Sequence, residues 1–211
     1  MTDLYLVRHG ETEWNRQRRI QGLTDIPLNE TGRSQARATG MLLSRRRWGG
    51  IYASPLSRAR ETASIIAAEV GLAEPTLVEA LVERNYGQAE GLDWMQVEAR
   101  YPHGTVVPGR ESREQVGKRV IPALIELAQD RHGEALLIVS HGGAIRAVLN
   151  AVEPDASHGS ITNGSVHSFR LEDGALRLIA FDDPIEVESI GDDCGDLDEQ
   201  NRVEADEDSV A

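Results

Sequence analysis

Short apolar runs alternate along the chain with amphipathic stretches of helical periodicity. The apolar runs predict strands at Leu4–Val7, Gly50–Ala53, Thr76–Val78 and Ala135–Val139. The stretches whose apolar residues recur at helical spacing predict helices at Thr31–Arg46, Pro55–Val70, Ser112–Asp130 and Gly142–Val152. A final hairpin is predicted from Ser165–Leu171 and Ala175–Phe181, which flank the turn Glu172-Asp173-Gly174. Strands alternating with helices are typical of βαβ units, so the expected fold is a three-layer α/β/α sandwich with a mostly parallel central sheet.

Two of the predicted helices begin at recognisable capping signals. Thr31 is the expected N-cap of the first helix, because a threonine hydroxyl can accept a hydrogen bond from a backbone N–H in the first turn. Ser54 followed by Pro55 predicts a cap and a proline at the first helical position. We therefore expect helices to start at these two places.

Charge is distributed unevenly along the chain. The net charge is −13 over 211 residues, but residues 182–211 contain 13 acidic residues and one basic residue, whereas residues 1–181 contain 22 acidic and 21 basic residues. We therefore expect one catalytic domain at 1–181 and an acidic tail at 182–211 that has too few apolar residues to form a core and is disordered. Such an acidic balance makes nucleic acid a poor partner.

The cellular location is predicted from the cysteine content and the N-terminus. Cys194 is the single cysteine, which excludes a disulfide framework and suits a reducing compartment. The first residues, Met1-Thr2-Asp3, lack the basic and apolar regions of a signal peptide, and nowhere do about 18 apolar residues run together. We expect a cytoplasmic protein with no membrane partner.

Two predicted strands end in a histidine followed by a glycine. His9 comes directly after the first strand, and His141 closely follows the strand Ala135–Val139. Because the carboxyl ends of parallel strands meet at one edge of a sheet, the two imidazoles are expected to lie side by side there. A lone histidine more often has a structural role, but a pair at matching strand ends favours catalysis.

Arginines and a helix start predict a phosphate site around these histidines. Arg8 and Arg58 can present planar guanidinium groups to a dianionic phosphoryl group. The amides of Gly142 and Gly143 begin a predicted helix, where backbone donors and the helix dipole favour an anion. A neutral His9 could then attack phosphorus, which makes phosphohistidine the expected intermediate.

The leaving alkoxide needs a proton, which an arginine cannot supply near neutral pH. Glu83 lies in a segment followed by Gly87 and Gly91, a spacing that indicates a tight loop over a pocket. Negative charge on a bound phosphate opposes ionisation of a nearby buried carboxyl, so Glu83 is the expected general acid and then the base for water. Spacing alone leaves open that Glu83 is a surface residue.

Several short sequence blocks occur in a characteristic order. They are Leu6-Val7-Arg8-His9-Gly10-Glu11-Thr12, Ser54-Pro55-Leu56-Ser57-Arg58-Ala59, Glu83 with Glu90-Gly91, Glu111-Ser112, and Ser140-His141-Gly142-Gly143. In this order they closely resemble the histidine phosphatase superfamily, the phosphoglycerate mutase-like proteins. The resemblance extends over about residues 4–181, and ordered blocks are far more specific than any single motif.

The resemblance implies a phosphoglycerate mutase-like fold and a set of site residues. His9 would be the nucleophile and Glu83 the proton donor. The implied phosphate ligands are Arg8, Arg58, His141, Asn15, Gln21 and the Gly142 amide. No metal is implied, and no pair of histidines in the chain has helical metal-ligand spacing.

Three functions remain possible on the sequence. The favoured one is a phosphomonoester hydrolase that acts on a small phosphorylated metabolite without a cofactor. The second is a 2,3-bisphosphoglycerate-dependent phosphoglycerate mutase. Two stretches resemble the corresponding ones of those mutases, namely Glu83-Arg84-Asn85-Tyr86-Gly87 and Arg119-Val120-Ile121-Pro122. The third, an inactive module that binds phosphorylated ligands, would need neither a nucleophile nor a proton donor.

The length of one segment favours hydrolysis over the mutase reaction. Only 16 residues separate Gly91 from Pro108, whereas the mutases carry a longer insertion there. A mutase needs an enclosing lid that keeps water away from phosphohistidine, and a short segment leaves the pocket open. The residues expected to contact the leaving portion of the substrate are Arg84, Tyr86, Arg110 and Arg113. The sequence predicts neither the natural substrate nor the oligomeric state.

Overall fold

A six-stranded sheet forms the centre of the fold in the computed structural model, which describes residues 1–182. The strands are β1 (Thr2–Arg8), β2 (Gly50–Ala53), β3 (Thr76–Leu77), β4 (Ala135–Ser140), β5 (Val166–Glu172) and β6 (Ala175–Ala180). Across the sheet they follow the order β3-β2-β4-β1-β5-β6. The first four in this order are parallel, whereas β5 runs antiparallel to β1 and β6 antiparallel to β5. The mostly parallel sheet and the final hairpin are therefore confirmed. Residues 183–211, which hold nearly all of the predicted acidic tail, lie outside the described residues.

Helices cover both faces of this sheet. They are α1 (Glu13–Arg16), α2 (Glu30–Leu43), α3 (Ser57–Val70), α4 (Trp94–Arg100), α5 (Arg113–Asp130) and α6 (Gly142–Val152). The four long helices match the predicted ones. The sequence did not predict α1 and α4, because helices of four and seven residues are too short to show a helical period. No helix within residues 1–182 is both long enough and apolar enough to cross a membrane.

Alternate side chains of β1 pack against opposite helix layers. Leu4 and Leu6 belong to a core cluster with apolar side chains of α5 and α6. Tyr5 and Val7 belong to a second cluster with side chains of α2 and α3. Since successive side chains of a strand point to opposite faces, a continuous apolar run in β1 serves both layers. The predicted three-layer sandwich is confirmed.

The predicted N-cap of α2 is wrong. Asn29 is the N-cap, and its side chain accepts a hydrogen bond from the Gly32 amide. Thr31 lies one residue inside the helix. Asparagine is at least as good an N-cap as threonine, so Asn29 can start the helix two residues before the predicted position.

The predicted cap of α3 is also wrong. The helix begins at Ser57 after Leu56, which makes no side-chain capping hydrogen bond. The Ser54 hydroxyl instead lies 2.8 Å from Nε2 of His141. The Ser54 side chain therefore contacts a residue at the edge of the sheet and does not cap the helix.

The carboxyl ends of β1 and β4 lie side by side at the centre of the sheet. Arg8 pairs in register with Ser140, so His9 and His141 leave the two strands at the same level. Neighbouring strands are only about 4.8 Å apart, so the backbones of the two histidines lie close together. Helix α6 begins immediately after His141, and its positive end therefore faces this edge.

Candidate active site

The two histidines meet at the carboxyl edge, as the sequence predicts. Their ring centroids are 5.1 Å apart, with an angle of 61° between the ring planes. Both side chains are almost completely buried. Two imidazoles in this arrangement can contact one small group between them.

His9 has the hydrogen-bond arrangement of a nucleophile. Its Nδ1 lies 2.7 Å from the carbonyl oxygen of Gly10. A carbonyl only accepts, so Nδ1 carries the ring proton and Nε2 keeps its lone pair. Burial, together with the positive charges of Arg58 and Arg8, holds the pKa of His9 well below its ordinary value of 6.5. His9 is therefore neutral, and able to attack, at neutral pH.

Backbone carbonyls fix the guanidinium groups of both predicted phosphate-binding arginines. Arg8 donates from Nη1 to the carbonyl of Ile161 at 2.6 Å. Arg58 donates to the carbonyls of Thr24 and Gly22, at 2.9 and 2.7 Å. Burial lowers the pKa of Arg58 to about 10, so this side chain remains cationic at neutral pH. Two cations held in place in this way need little reorganisation to receive a phosphate.

Thr12 holds the side chains of Asn15 and Gln21 in the segment that follows His9. The Asn15 side-chain oxygen accepts from the Thr12 amide at 3.1 Å, and the Gln21 side-chain oxygen accepts from the Thr12 hydroxyl at 2.9 Å. These contacts occupy the oxygen of each side-chain amide. Within residues 1–182, the side-chain nitrogens of Asn15 and Gln21 are buried and have no hydrogen-bond partner. The placement agrees with the role in phosphate binding that the resemblance implies.

Glu83 lies at the start of α6. One carboxylate oxygen accepts from the amides of Arg84 and Ala144, at 2.7 and 3.0 Å, and the other accepts from Gly143 at 3.1 Å. Glu83 is buried, so the alternative of a surface glutamate is wrong. The prediction that the Gly143 amide binds phosphate is also wrong, because the carboxylate of Glu83 takes that amide. Contact between the phosphoryl group and the Gly142 amide, the first amide of the helix, stays a prediction.

Arg119 holds the backbone before Glu83. Its guanidinium donates to the carbonyls of Val82 and Glu83, at 2.7 and 2.8 Å. The same group forms a two-point ion pair with Glu111, at 2.9 and 3.0 Å. The sequence predicted no role for Arg119, although this residue begins a stretch that resembles the mutases. Arg119 therefore fixes the position from which the Glu83 carboxyl extends.

Asn163 and Glu90 are further site-supporting residues without a predicted role. The Asn163 amide donates to the backbone carbonyl of His9 at 2.9 Å. Glu90 accepts from the backbone amides of Leu23 and Thr24, both at 3.0 Å. These two hydrogen bonds connect the loop that binds Arg58 to the segment after Glu83. For Asn163 the available signal was only a turn-like sequence between predicted elements.

Of the four residues predicted to contact the leaving portion of the substrate, three lie together and the fourth lies apart. Tyr86 is fully buried, with the guanidinium of Arg84 at 5.3 Å and that of Arg110 at 5.7 Å from its ring. Arg84 also donates to the backbone carbonyl of Glu111 at 2.7 Å. Arg113, by contrast, borders a surface groove between α5 and α6. Substrate contact by these four side chains stays a prediction.

Within the described part of the chain, residues 1–182, no group of three or more His, Cys, Asp or Glu side chains is placed to hold a metal ion. The charged side chains that act on both histidines are those of Arg8 and Arg58.

Comparisons with known proteins agree with this geometry. The model of the histidine phosphatase superfamily (branch 1) matches residues 4–184. The chain is 37% identical over 182 residues to the uncharacterized phosphatase PhoE of Bacillus subtilis, covering 84% of this chain and 93% of PhoE. It is 33% identical over 203 residues to the 2,3-bisphosphoglycerate-dependent phosphoglycerate mutase of Cytophaga hutchinsonii, covering 90% of this chain and 92% of the mutase. Among solved structures, a mycobacterial glucosyl-3-phosphoglycerate phosphatase in complex with VO3 superposes with a TM-score of 0.77 at 30% identity, covering 85% of this chain and 98% of the phosphatase.

Proposed function

Because this chain belongs to the histidine phosphatase superfamily, we propose that it is a phosphomonoester hydrolase that acts through a covalent phosphohistidine on His9. The family expected from the sequence blocks is confirmed. The proposed substrate is a small phosphorylated metabolite, and the proposed reaction needs no cofactor.

One observation supports the proposal most strongly. His9 presents a neutral Nε2 within a buried group of hydrogen-bond donors that have no acceptor among residues 1–182. These donors are Nδ2 of Asn15, Nε2 of Gln21, Nε of Arg58 and Nδ1 of His141. Buried donors without acceptors are costly, and an oxygen-rich dianion satisfies them. A phosphoryl group bound there would lie next to the nucleophile.

The first step transfers the phosphoryl group to the enzyme. The lone pair of His9 Nε2 forms an N–P bond while the P–O bond of the ester breaks. The buried donors of the site and the fixed arginines stabilise the negative charge on the equatorial oxygens. Glu83 delivers a proton to the leaving oxygen, so the product is a neutral alcohol.

The second step returns the enzyme to its starting state. Water attacks phosphorus, the N–P bond breaks, and its electron pair returns to His9 while inorganic phosphate leaves. Glu83, now ionised, takes the proton of the attacking water. Three backbone amides favour the ionised carboxylate, whereas the phosphate dianion opposes it, so Glu83 can give and then accept a proton.

A hydrolysis screen with a mutase control tests the function. We expect inorganic phosphate to be released from phosphorylated metabolites, and 3-phosphoglycerate to be hydrolysed faster than isomerised even with 2,3-bisphosphoglycerate added. The physical reason is the short segment between Gly91 and Pro108, which contains only the seven-residue α4 as regular structure. Isomerisation that outpaces hydrolysis would establish the mutase alternative, in which 2,3-bisphosphoglycerate is the cofactor. Release of no phosphate from any ester would support the binding module.

A bell-shaped dependence of kcat/KM on pH is expected. His9 must be neutral to attack, so the rate falls as the pH drops through the pKa of this imidazole. Because burial, Arg58 and Arg8 place that pKa well below 6.5, the acid limb should lie below pH 6.5. Glu83 must be protonated in the first step, so the rate falls again at high pH, and both apparent values belong to the coupled site. A flat profile, or an acid limb centred above pH 6.5, would contradict this assignment.

The proposal includes a location and a set of partners. A reducing, cytoplasmic location is supported by the single cysteine. A small phosphate ester is the expected partner, whereas the acidic balance of the chain does not support binding to nucleic acid. No membrane partner is proposed.

A further inference from the structure

Ser54 contacts the second histidine of the site. It follows β2 directly, and its backbone amide donates to the carbonyl of Val139 in the neighbouring strand β4 at 3.0 Å. The Ser54 side chain is fully buried, and its hydroxyl lies 2.8 Å from Nε2 of His141. The sheet thus brings a serine hydroxyl and an imidazole nitrogen together behind the phosphate site.

The surroundings of the Ser54 hydroxyl decide which partner donates. The amide of Leu56 donates to the Ser54 oxygen at 3.3 Å, and the buried hydroxyl must still place its own proton on an acceptor. Within residues 1–182, Nε2 of His141 is the acceptor placed to receive the hydroxyl proton. If Nε2 accepts, the proton of the neutral imidazole is on Nδ1.

The other nitrogen of His141 is available to a ligand. Nδ1 is buried and has no hydrogen-bond partner among the described residues. Burial, followed by the positive charges of Arg58 and Arg8, holds the pKa of His141 well below its ordinary value. The ring is therefore neutral and has one N–H to donate, and its tautomer decides which nitrogen donates.

We propose that Ser54 is a positioning residue that holds His141 in the tautomer with its proton on Nδ1, so that the ring donates a hydrogen bond to the transferring phosphoryl group. The tautomer itself follows from the contacts of Ser54, whereas its catalytic use rests on the proposed function. Without the hydroxyl, the proton can move to Nε2, and a lone pair on Nδ1 would then face the phosphoryl oxygens. The interaction would change from attractive to repulsive.

A second serine–histidine pair in the same protein provides a matched control. The Ser165 hydroxyl lies 2.9 Å from Nε2 of His167, and both side chains are buried. Nδ1 of His167 accepts from the Asp182 amide at 3.2 Å, so in this pair the ring proton is on Nε2. Burial lowers the pKa of His167 to about 3, so this ring is neutral too. The two histidines are therefore expected to be opposite tautomers.

Nitrogen NMR of the labelled full chain tests the tautomer directly. Long-range proton–nitrogen correlation near neutral pH should show a protonated Nδ1 and an unprotonated Nε2 for His141, and the reverse for His167. A protonated Nε2 on His141 would overturn the proposal. This measurement does not depend on activity. It therefore tests the tautomer even if the proposed function is wrong.

Substitution then tests the consequence for catalysis. Ser54→Ala should lower kcat/KM for phosphate esters by about 10- to 100-fold, the range found when a hydrogen-bonding partner of a functional histidine is lost at metal sites. The NMR spectrum of Ser54→Ala should show a protonated Nε2 on His141. Ser165→Ala removes the equivalent bond outside the site and should retain kcat/KM within about twofold, and Ser54→Thr should restore much of the rate because it keeps a hydroxyl. Equal losses in Ser54→Ala and Ser165→Ala, or parental activity in Ser54→Ala, would contradict the role of Ser54. Should Ser54→Ala fail to fold, the spectrum of the parent protein still decides the tautomer.

Discussion

His9→Ala should lower phosphatase turnover by at least about 10⁴-fold, because no other side chain of the site can form the N–P bond. The lowered pKa and the contact of Nδ1 with Gly10 make this imidazole a neutral nucleophile at neutral pH. His141 cannot replace it, since its Nε2 is engaged by the Ser54 hydroxyl. The measurement is the release of inorganic phosphate from an aryl phosphate and from an alkyl phosphate.

A second histidine provides the control for this substitution. His132 is exposed in the turn before β4, at the opposite edge of the sheet from the site. His132→Ala should retain the parental rate. Circular dichroism and the thermal midpoint should show that both variants fold. Turnover by His9→Ala within tenfold of the parent would remove the covalent mechanism.

Glu83→Gln should slow phosphoryl transfer from alkyl phosphates by about 100-fold or more, but transfer from activated aryl phosphates by less than about tenfold. An alkoxide is a poor leaving group and needs the proton, whereas an activated phenolate leaves without it. The second step needs Glu83 as a base for either substrate. The comparison must therefore use kcat/KM or the burst of released phenol, which report the first step.

The ratio between the two substrates also controls for local distortion. Both oxygens of Glu83 accept backbone hydrogen bonds, so the NH2 group of a glutamine must oppose one backbone amide. Such distortion would affect both esters alike and cancel in the ratio. Glu79→Gln, which changes an exposed carboxyl nearby, should leave both rates unchanged. Equal losses on the two esters would exclude Glu83 as the general acid.

Much of the fold follows from the pattern of apolar positions. The strands β1, β2 and β4 were predictable because buried parallel strands are nearly continuous apolar runs. The long helices were predictable from their period. The helix caps were predicted less accurately, because Asn29 caps α2 in place of the predicted Thr31 and the Ser54 side chain contacts His141 instead of capping α3. The short helices α1 and α4 leave no periodic signal.

The centre of the site was predictable for a different reason. His9 and His141 follow adjacent parallel strands, so the sheet alone brings them together. Asn163 and Arg119 act on backbone carbonyls, and such contacts leave no residue pattern in a single sequence. The sequence also could not show that the carboxylate of Glu83 takes the Gly143 amide, because that contact depends on how a distant loop meets α6.

Trapping the phosphoenzyme tests the covalent mechanism most directly. Glu83→Gln is mixed briefly with an activated aryl phosphate and quenched in alkali, which preserves phosphohistidine, and the peptides are analysed by mass spectrometry. Because this variant should form the N–P bond but lack the base for water, we predict one added phosphoryl group on the peptide that contains His9, localised to its imidazole. A phosphoryl group found instead on His141, or phosphate released with no labelled peptide at any time in the burst, would contradict the mechanism.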